Sequence, residues 1–385
     1  MVNGPLWCYF YAMKYVDNEN PMASMRFSCT QVSPNSLVYG TEDDLRKGLS
    51  SIETYAKPER VFVESNCSVS LVGDDVQGIA DQMDLPWPVY AMDSGGMKGS
   101  FEAGYSAASL RIEKEMKTKE KIPASVNVLG LSTVHMKGRE DAEEIRRLLS
   151  LCGIRVISMP GGGSNWDDIM AAPSASLNIV VRDELGLSLA KQMERDFGTP
   201  YMSSGLPYGT DGTMAWLSEI IEKLGAGELI RASHEAAKLK EFLLRKGNNL
   251  ESLWGPLWFD AVLISAPPSE ALGIAEAIRS EWIDTAHLCI HAQCETEKST
   301  PAADAIRVVM KNEKEIAKDY EDWQGGLVLS SSHETHLLRR MGRSFTGFHI
   351  ALPSHDEVHF SDLPQCGLRG AGYLYEQLWN AKLRR

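Results

Sequence analysis

Short apolar runs recur along the chain, each closed by a Gly, Pro or Ser turn and followed by a segment of helical period. The run RVFVES at 60–65 has the near-continuous apolar character of a strand buried in a parallel sheet. ASVNVLGLS at 124–132 reads the same way. It leads into a helix predicted over 139–153, where Ile145, Leu148, Leu149 and Cys152 share one face. RVISMPG (155–161), LNIVV (177–181) and FDAVLISAPP (259–268) are further strands, and GGLVLSSSHETHLLRRMG (325–342) is another strand–helix unit. Strands alternating with helices predict an α/β fold of three Rossmann-like, doubly wound domains with parallel sheets. The charged stretch MKTKEKIP, ending at Pro123, and the break KGNNLESLWGP (246–256) set the boundaries. The expected domains are 1–118, 119–248 and 249–385.

Composition narrows the function classes. The 385 residues are 43% hydrophobic and 24% charged, ordinary for a globular chain of this size. A net charge of −13 with no basic run argues against nucleic acid as a partner. No apolar stretch reaches the length of a membrane span. The N-terminal MVNGPLWCYFYAMKY lacks the basic region and cleavage site of a signal peptide, so none is expected. Seven scattered cysteines without secreted-scaffold spacing fit a reducing cytoplasm.

Ligands of open α/β sheets lie at the carboxyl ends of strands. Cys67 stands there, directly after RVFVES, and Asp74 or Asp75 in the following GDDV is expected to cap the next helix. Taken alone, Cys67 reads as a small buried hydrophobe. Cys8 follows a Gly-Pro turn and opens an aromatic helix, and Ser100 lies in DSGGMKGSFEAGY, where a glycine turn opens another. Three such groups on three strand-to-helix junctions of one sheet can meet at one point. Cysteine thiolates are the ligands of iron–sulfur clusters, and glycine lets backbone approach inorganic sulfide closely. Cys152, on its helix face, reads as core. His287, Cys289 and His291 alternate on one strand face, with Cys294 beyond, and a structural role is expected without a second ligand pair. GGGSNW lacks the lysine of a phosphate-binding loop, so ATP hydrolysis by this chain is not expected.

Taken in order, several segments resemble the nitrogenase component 1 family. They are Cys8 with its aromatics, CTQVSPNSLVYGTEDDLRKGL (29–49), YAKPERVFVESNCSVSLVGDDV (55–76) and GGMKGSFEAGY (95–105). GGGSNWDDIMAAPSASLNIVV (161–181), GLPYGTDGTMAWLSEI (205–220), SSSHETHLLRRMG and GFHIALPSHDEVHF with GLRGAGYLYEQLWNA continue the likeness over nearly the whole chain. The separation of Cys8 and Cys67 is similar to that of two cluster cysteines in the β-type subunits, and Ser100 matches a serine that approaches the oxidised cluster there. The β type has one more cluster cysteine upstream, beyond where this chain begins. Cys29 is a possible substitute, weighed against a packed loop cysteine.

The resemblance implies a β-type subunit of a nitrogenase-like reductase. Cys8 and Cys67 would ligate an iron–sulfur cluster, either 4Fe–4S or a P-cluster-like 8Fe–7S, shared with a partner. Ser100 would join on oxidation, and Gly4, Gly95 and Gly99 would shape the pocket. A homologous α-type subunit would carry most of the catalytic site in an αβ or α2β2 assembly. A dimeric ATP-hydrolysing iron–sulfur reductase would supply electrons. His355 and His359 read as loop or interface histidines. The substrate class stays open among dinitrogen, carbon–sulfur compounds and tetrapyrroles. Two other readings stand beside this one: a cofactor-assembly scaffold without turnover, and a cluster-free α/β protein binding a small molecule. The Cys8/Cys67 pairing speaks against the second.

Overall fold

The computed structural model describes residues 1–19, 23–92, 95–293, 306–310 and 313–384. They divide into two compact units, Met1–Lys114 and Glu115–Arg385.

The first unit is built on a parallel sheet of β1 (Val2–Asn3), β2 (Val61–Ser65) and β3 (Val89–Met92), in that spatial order. Val61 and Val63 of β2 point into a core that Leu45, Leu49 and Ile52 close from the helix Glu42–Tyr55. Their spacing places all three on one helix face. Of the two candidate caps, Asp75 accepts from the Gly78 N–H at 2.9 Å and starts the helix Val76–Asp81. Asp74 instead accepts from the Thr41 N–H at 2.6 Å and hydroxyl at 2.7 Å, fixing the start of Glu42–Tyr55. An isolated bridge from Val2 to Cys29 extends the sheet edge by one residue.

The second unit holds two parallel sheets. One contains β4 (Ile122–Leu129), β5 (Arg155–Ser158), β6 (Ala175–Val180) and β7 (Tyr201–Ser203) in the order β5-β4-β6-β7. The other contains β8 (Trp258–Ala266), β9 (Asp284–Ala292), β10 (Ile306–Met310), β11 (Leu327–Ser330) and β12 (Thr346–His349) in the order β10-β9-β8-β11-β12. Each sheet grows in one direction and then reverses beside its first strand, the doubly wound arrangement. The α/β architecture with three parallel sheets is therefore the expected one. One apolar core, including Val128, Ile145, Leu149, Phe259, Ile264 and Leu378, underlies both sheets. The helix expected over 139–153 spans Gly138–Leu151, and Ile145, Leu148, Leu149 and Cys152 are all buried.

One expected break is helical. Residues 246–254 form the last turns of a 25-residue helix, Ile230–Trp254, that ends at Gly255, where φ is positive. Gly247 survives inside it because a methyl group there would lie 2.4 Å from the Tyr375 hydroxyl of the helix Gly367–Leu383. Close helix packing outweighs the poor helix propensity of GNN.

Arg182, at the end of β6, is almost wholly buried and pairs with Glu270 of the helix Pro268–Ala277 at 2.5 Å, while its Nη1 donates to the Gly130 carbonyl at 3.1 Å. Burial opposes both charges, and their mutual attraction overcomes it: Arg182 is held cationic and Glu270 anionic. Asp141 lies in the same electrostatic neighbourhood and accepts from the Gln365 and Cys366 N–H groups at 2.7 and 3.0 Å. Burial outweighs both donors and Arg182, and raises its carboxyl to about 6.

Between its ordinary pKa and about 6, the folded chain thus holds a proton that the unfolded chain releases. Stability should fall as pH rises through that window, and be level with respect to this group above it. Urea midpoints at pH 4 and pH 7 should show Asp141→Asn losing this slope, a difference of roughly 2–3 kcal/mol between the two pH values relative to the parent. Parallel pH profiles for the two proteins would refute the assignment.

Candidate functional site

The carboxyl edge of the first unit's sheet gathers the groups singled out from the sequence. Cys8 sits in the first turns of the helix Leu6–Glu19, which opens two residues after β1. Its N–H bonds back to the Pro5 carbonyl at 3.1 Å, and its side chain is exposed. Cys67 is the first residue of the short helix Cys67–Val72 after β2 and is half-buried. Asn66 joins the two junctions. Its Oδ1 accepts from the Val69 N–H at 3.0 Å, capping that helix, and its Nδ2 donates to Cys8 Sγ at 3.2 Å. Its own N–H donates to the Asn3 carbonyl at 3.1 Å, continuing the β1–β2 pairing.

Asn66 crowds Gly4, and Ser70 together with Asn66 crowds Gly95. A methyl group at Gly4 would sit 2.5 Å from Asn66 Cγ. One at Gly95 would sit 2.7 Å from Ser70 Oγ and 3.3 Å from the Asn66 carbonyl. Neither position has room for a side chain while the three connections remain this close. Gly99 is different: a Cβ there would meet Ala103, within the start of its own helix. Gly96, which the sequence pattern did not single out, lies beside Cys67, with its Cβ position 3.4 Å from Cys67 Sγ.

Ser100 occupies the cap position of the helix Phe101–Glu113, yet its side chain makes no capping bond. Its Oγ is buried and has no hydrogen-bond partner among the described residues. An unmet buried hydroxyl carries a cost of about 1–3 kcal/mol. It borders a cleft of about 700 Å³ lined also by Gly96, Gly99 and Phe101.

Cys29 belongs to the same edge. Its Sγ donates to the Gly4 carbonyl at 3.3 Å and accepts from the Gln31 N–H at 3.4 Å. Burial pushes its thiol up, the Gln31 N–H opposes this, and the nearby Cys8 sulfur adds to the rise. The structure thus brings Cys8, Cys29 and the Cys67 turn around Gly4 and Asn66. Cys152 lies apart, in the second unit's core.

Among the other candidates, Cys289, His291 and Asp319 form a compact hydrogen-bonded group with separations of 3.0–3.4 Å. His287 is exposed and outside it. Cys294 lies outside the described residues. His355 is exposed, while His359 is partly buried beside His349 and Glu357. No helix among the described residues is long and apolar enough to cross a membrane.

The family model for nitrogenase component 1 type oxidoreductases matches residues 1–382. The chain belongs to that family. It is 29% identical over 260 residues to the nitrogenase iron-molybdenum cofactor biosynthesis protein NifE of Clostridium pasteurianum, covering 66% of this chain and 54% of that protein. It is 23% identical over 373 residues to a light-independent protochlorophyllide reductase subunit of Chloroherpeton thalassium, covering 92% of this chain and 69% of that protein. The chain therefore spans about half the length of the NifE relative. A solved structure titled Nitrogenase Cp1 at pH 6.5 superposes with a TM-score of 0.75 at 17% identity, over all of this chain and 88% of that one. That likeness establishes the shared fold.

Asn66 serves two purposes that substitution separates. Asn66→Asp keeps the acceptor that caps Cys67–Val72 but loses the donor to Cys8, whereas Asn66→Ala loses both. Asn66→Ala should cost about 1 kcal/mol in urea unfolding and Asn66→Asp only a few tenths. Both should change the rate of Cys8 alkylation, because the Nδ2 donor to its sulfur is lost. Unchanged Cys8 reactivity in Asn66→Asp would show that the amide does not act on that sulfur.

Proposed function

We propose that the chain is the β-type subunit of a nitrogenase-like reductase, relaying electrons through an iron–sulfur cluster shared with a homologous α-type subunit. The observation that carries the reading is the Asn66 bond to Cys8, which ties the Cys8 helix to the Cys67 turn at one sheet edge. The donor set fits such a cluster: free thiols, an unmet serine hydroxyl and glycines that clear space beside sulfur.

A cluster of this kind, 4Fe–4S or 8Fe–7S, supplies reversible storage of single electrons. The chain's own groups do the rest. Cys8 and Cys67 would hold iron. The Asn66 amide, donating to the Cys8 sulfur, withdraws charge from it and so favours the reduced state. Gly96 leaves the face of Cys67 open, and Ser100 offers its hydroxyl from the third junction. Gly4 and Gly95 hold the connections close enough for these groups to act together.

Two cysteines are fewer than an iron–sulfur cluster generally takes, so the remaining ligands come from elsewhere, with Cys29 a local candidate. The α-type subunit is the proposed source. Supporting this, Cys8 is exposed on a helix whose Trp7, Phe10 and Tyr11 also stand more than half exposed, in mutual ring contact. Aromatic rows of this kind mark protein interfaces. In this reading ATP hydrolysis belongs to a separate dimeric iron–sulfur reductase working with this chain in the cytoplasm, in keeping with the lack of a phosphate-binding lysine motif here. The catalytic site lies mainly on the α partner in this reading.

A second reading has its own support in the similarity to a cofactor biosynthesis protein: a scaffold that holds a cluster without turnover. Steady-state reduction of any substrate by the reconstituted complex would exclude it.

The test is a pair of substitutions in protein purified anaerobically with its partner. Cys67→Ala should remove most iron and sulfide and leave apo-protein melting almost unchanged. Cys152→Ala should keep the iron and cost about 1 kcal/mol through lost burial. Equal iron and sulfide in the two variants would refute the cluster assignment.

A further inference from the structure

The second unit holds a set of donors that the cluster reading leaves unused. His349 closes β12 and is 1% exposed. The chain after it turns back, and Glu357 and His359 return to the same point. Glu357 Oε2 lies 3.9 Å from His349 Nδ1 and 3.8 Å from His359 Nε2. All three ligand atoms are within 4.8 Å of one another. Ser354 Oγ stands between the two rings, 2.7 Å from His349 Nδ1 and 3.0 Å from His359 Nε2.

The surroundings of these groups are organised as metal sites are. A ligating histidine ordinarily gives its other ring nitrogen to a carboxylate. His349 Nε2 faces Asp356 Oδ1 at 3.4 Å and Thr335 Oγ1 at 3.5 Å. Asp356 is itself pinned by the Ser332 hydroxyl at 2.7 Å and by Arg339. Glu357 Oε2 is oriented by the His349 N–H at 2.9 Å.

The segment's polarity is inverted. Over 357–360 exposure alternates from residue to residue. Here the inward pair is Glu357 and His359, and the outward pair is Val358 and Phe360, 75% and 96% exposed. A segment that turns its apolar side chains to solvent gains nothing from burial, and polar groups must hold it. A metal ion supplies such a hold, since binding energy at a structural site is folding energy.

We propose that His349, Glu357 and His359 bind one divalent transition-metal ion, zinc in the first instance, at the carboxyl edge of β11 and β12, and that it fastens the segment 353–360 to the sheet. Two imidazoles and one carboxylate suit zinc or iron(II) and disfavour magnesium and calcium. Ligand atoms around such an ion lie about 3.0–3.4 Å apart for bonds of about 2.0–2.1 Å. Glu357 Oε2 must approach each ring nitrogen by roughly half an ångström, the two ring nitrogens must draw together from within 4.8 Å, and Ser354 turns aside or takes the fourth position. This site is independent of the cluster.

The test uses the full chain freed of metal by a chelator, with Cys8, Cys29, Cys67, Cys289 and Cys294 replaced by Ser to silence their thiolates. Titration with zinc should give one ion per chain. Cobalt(II) should show visible d–d bands without the near-ultraviolet thiolate charge-transfer band. His359→Ala and Glu357→Gln should each weaken binding by roughly tenfold or more, as should Asp356→Asn through the outer shell. Zinc should slow proteolysis within 353–360 in the parent and leave the His359→Ala rate unchanged. Circular dichroism confirms that each variant is folded. Absence of stoichiometric binding in the parent, or binding unaltered in folded His359→Ala and Glu357→Gln, would overturn the proposal.

Discussion

The candidate site depends on one side chain, Asn66. It caps one helix, donates to the sulfur of another and packs on the glycine that links β1 to that second helix. These roles are mutually restrictive. The cap fixes where Oδ1 points, the planar amide then fixes Nδ2, and the sulfur of Cys8 must come to it. Gly4 follows from the same geometry, because no larger residue fits against the amide. Gly95 brings the third junction onto the Asn66 carbonyl. Three chain crossings so far apart in sequence are held together by contacts with one residue, and the spacing of the thiols is a consequence.

The second unit meets a comparable demand with charge. Arg182 and Glu270 are buried where β6 meets the helix Pro268–Ala277, and removing either would leave the other's charge uncompensated in the core. Buried pairs of this kind are poor evidence for net stability, since well-packed apolar residues often do as well. What the pair does fix is orientation: Arg182 also reaches the Gly130 carbonyl, at the strand end where the first sheet reverses direction. Polar specificity is thus placed at strand ends in both units, and the apolar cores beneath are left to supply burial.

That division explains what was legible in sequence. β2, β4, β6, β8 and β11 announced themselves because central parallel strands are buried on both faces and must be apolar throughout. β1 and β7 are only two and three residues long, too short for any period to register. The GNN break at 247–249 misled because Gly247 answers to Tyr375, more than a hundred residues away. At the site, Cys8, Cys67 and Ser100 were visible by residue type and by following strand or turn signals. Asn66 was not, for an asparagine before a helix reads as an ordinary cap, and its second bond exists only once β1 lies beside β2. Gly96 was lost among the neighbouring glycines. His359 was visible as a histidine, but its partners His349 and Glu357 are joined to it by a turn with no sequence period.

Exposed apolar residues complete the picture. Trp7, Phe10 and Tyr11 flank Cys8, and Val358 and Phe360 flank His359. Glu357 and His359 are partly buried, and their neighbours Val358 and Phe360 face out. In a helix that begins at the sheet edge, Met13 is buried while the aromatics beside Cys8 are left outside. The patch beside His359 results from committing one face to donor atoms, whereas the aromatics share the exposed side of their helix with Cys8. Two such patches are costly to leave in water, and a partner covering the Cys8 helix would remove one of them while bringing the ligands that two thiolates lack. On the proposed reading the same surface answers both the solvation problem and the coordination problem, so a chain separated from the proposed partner would lose the proposed cluster and expose its aromatics together.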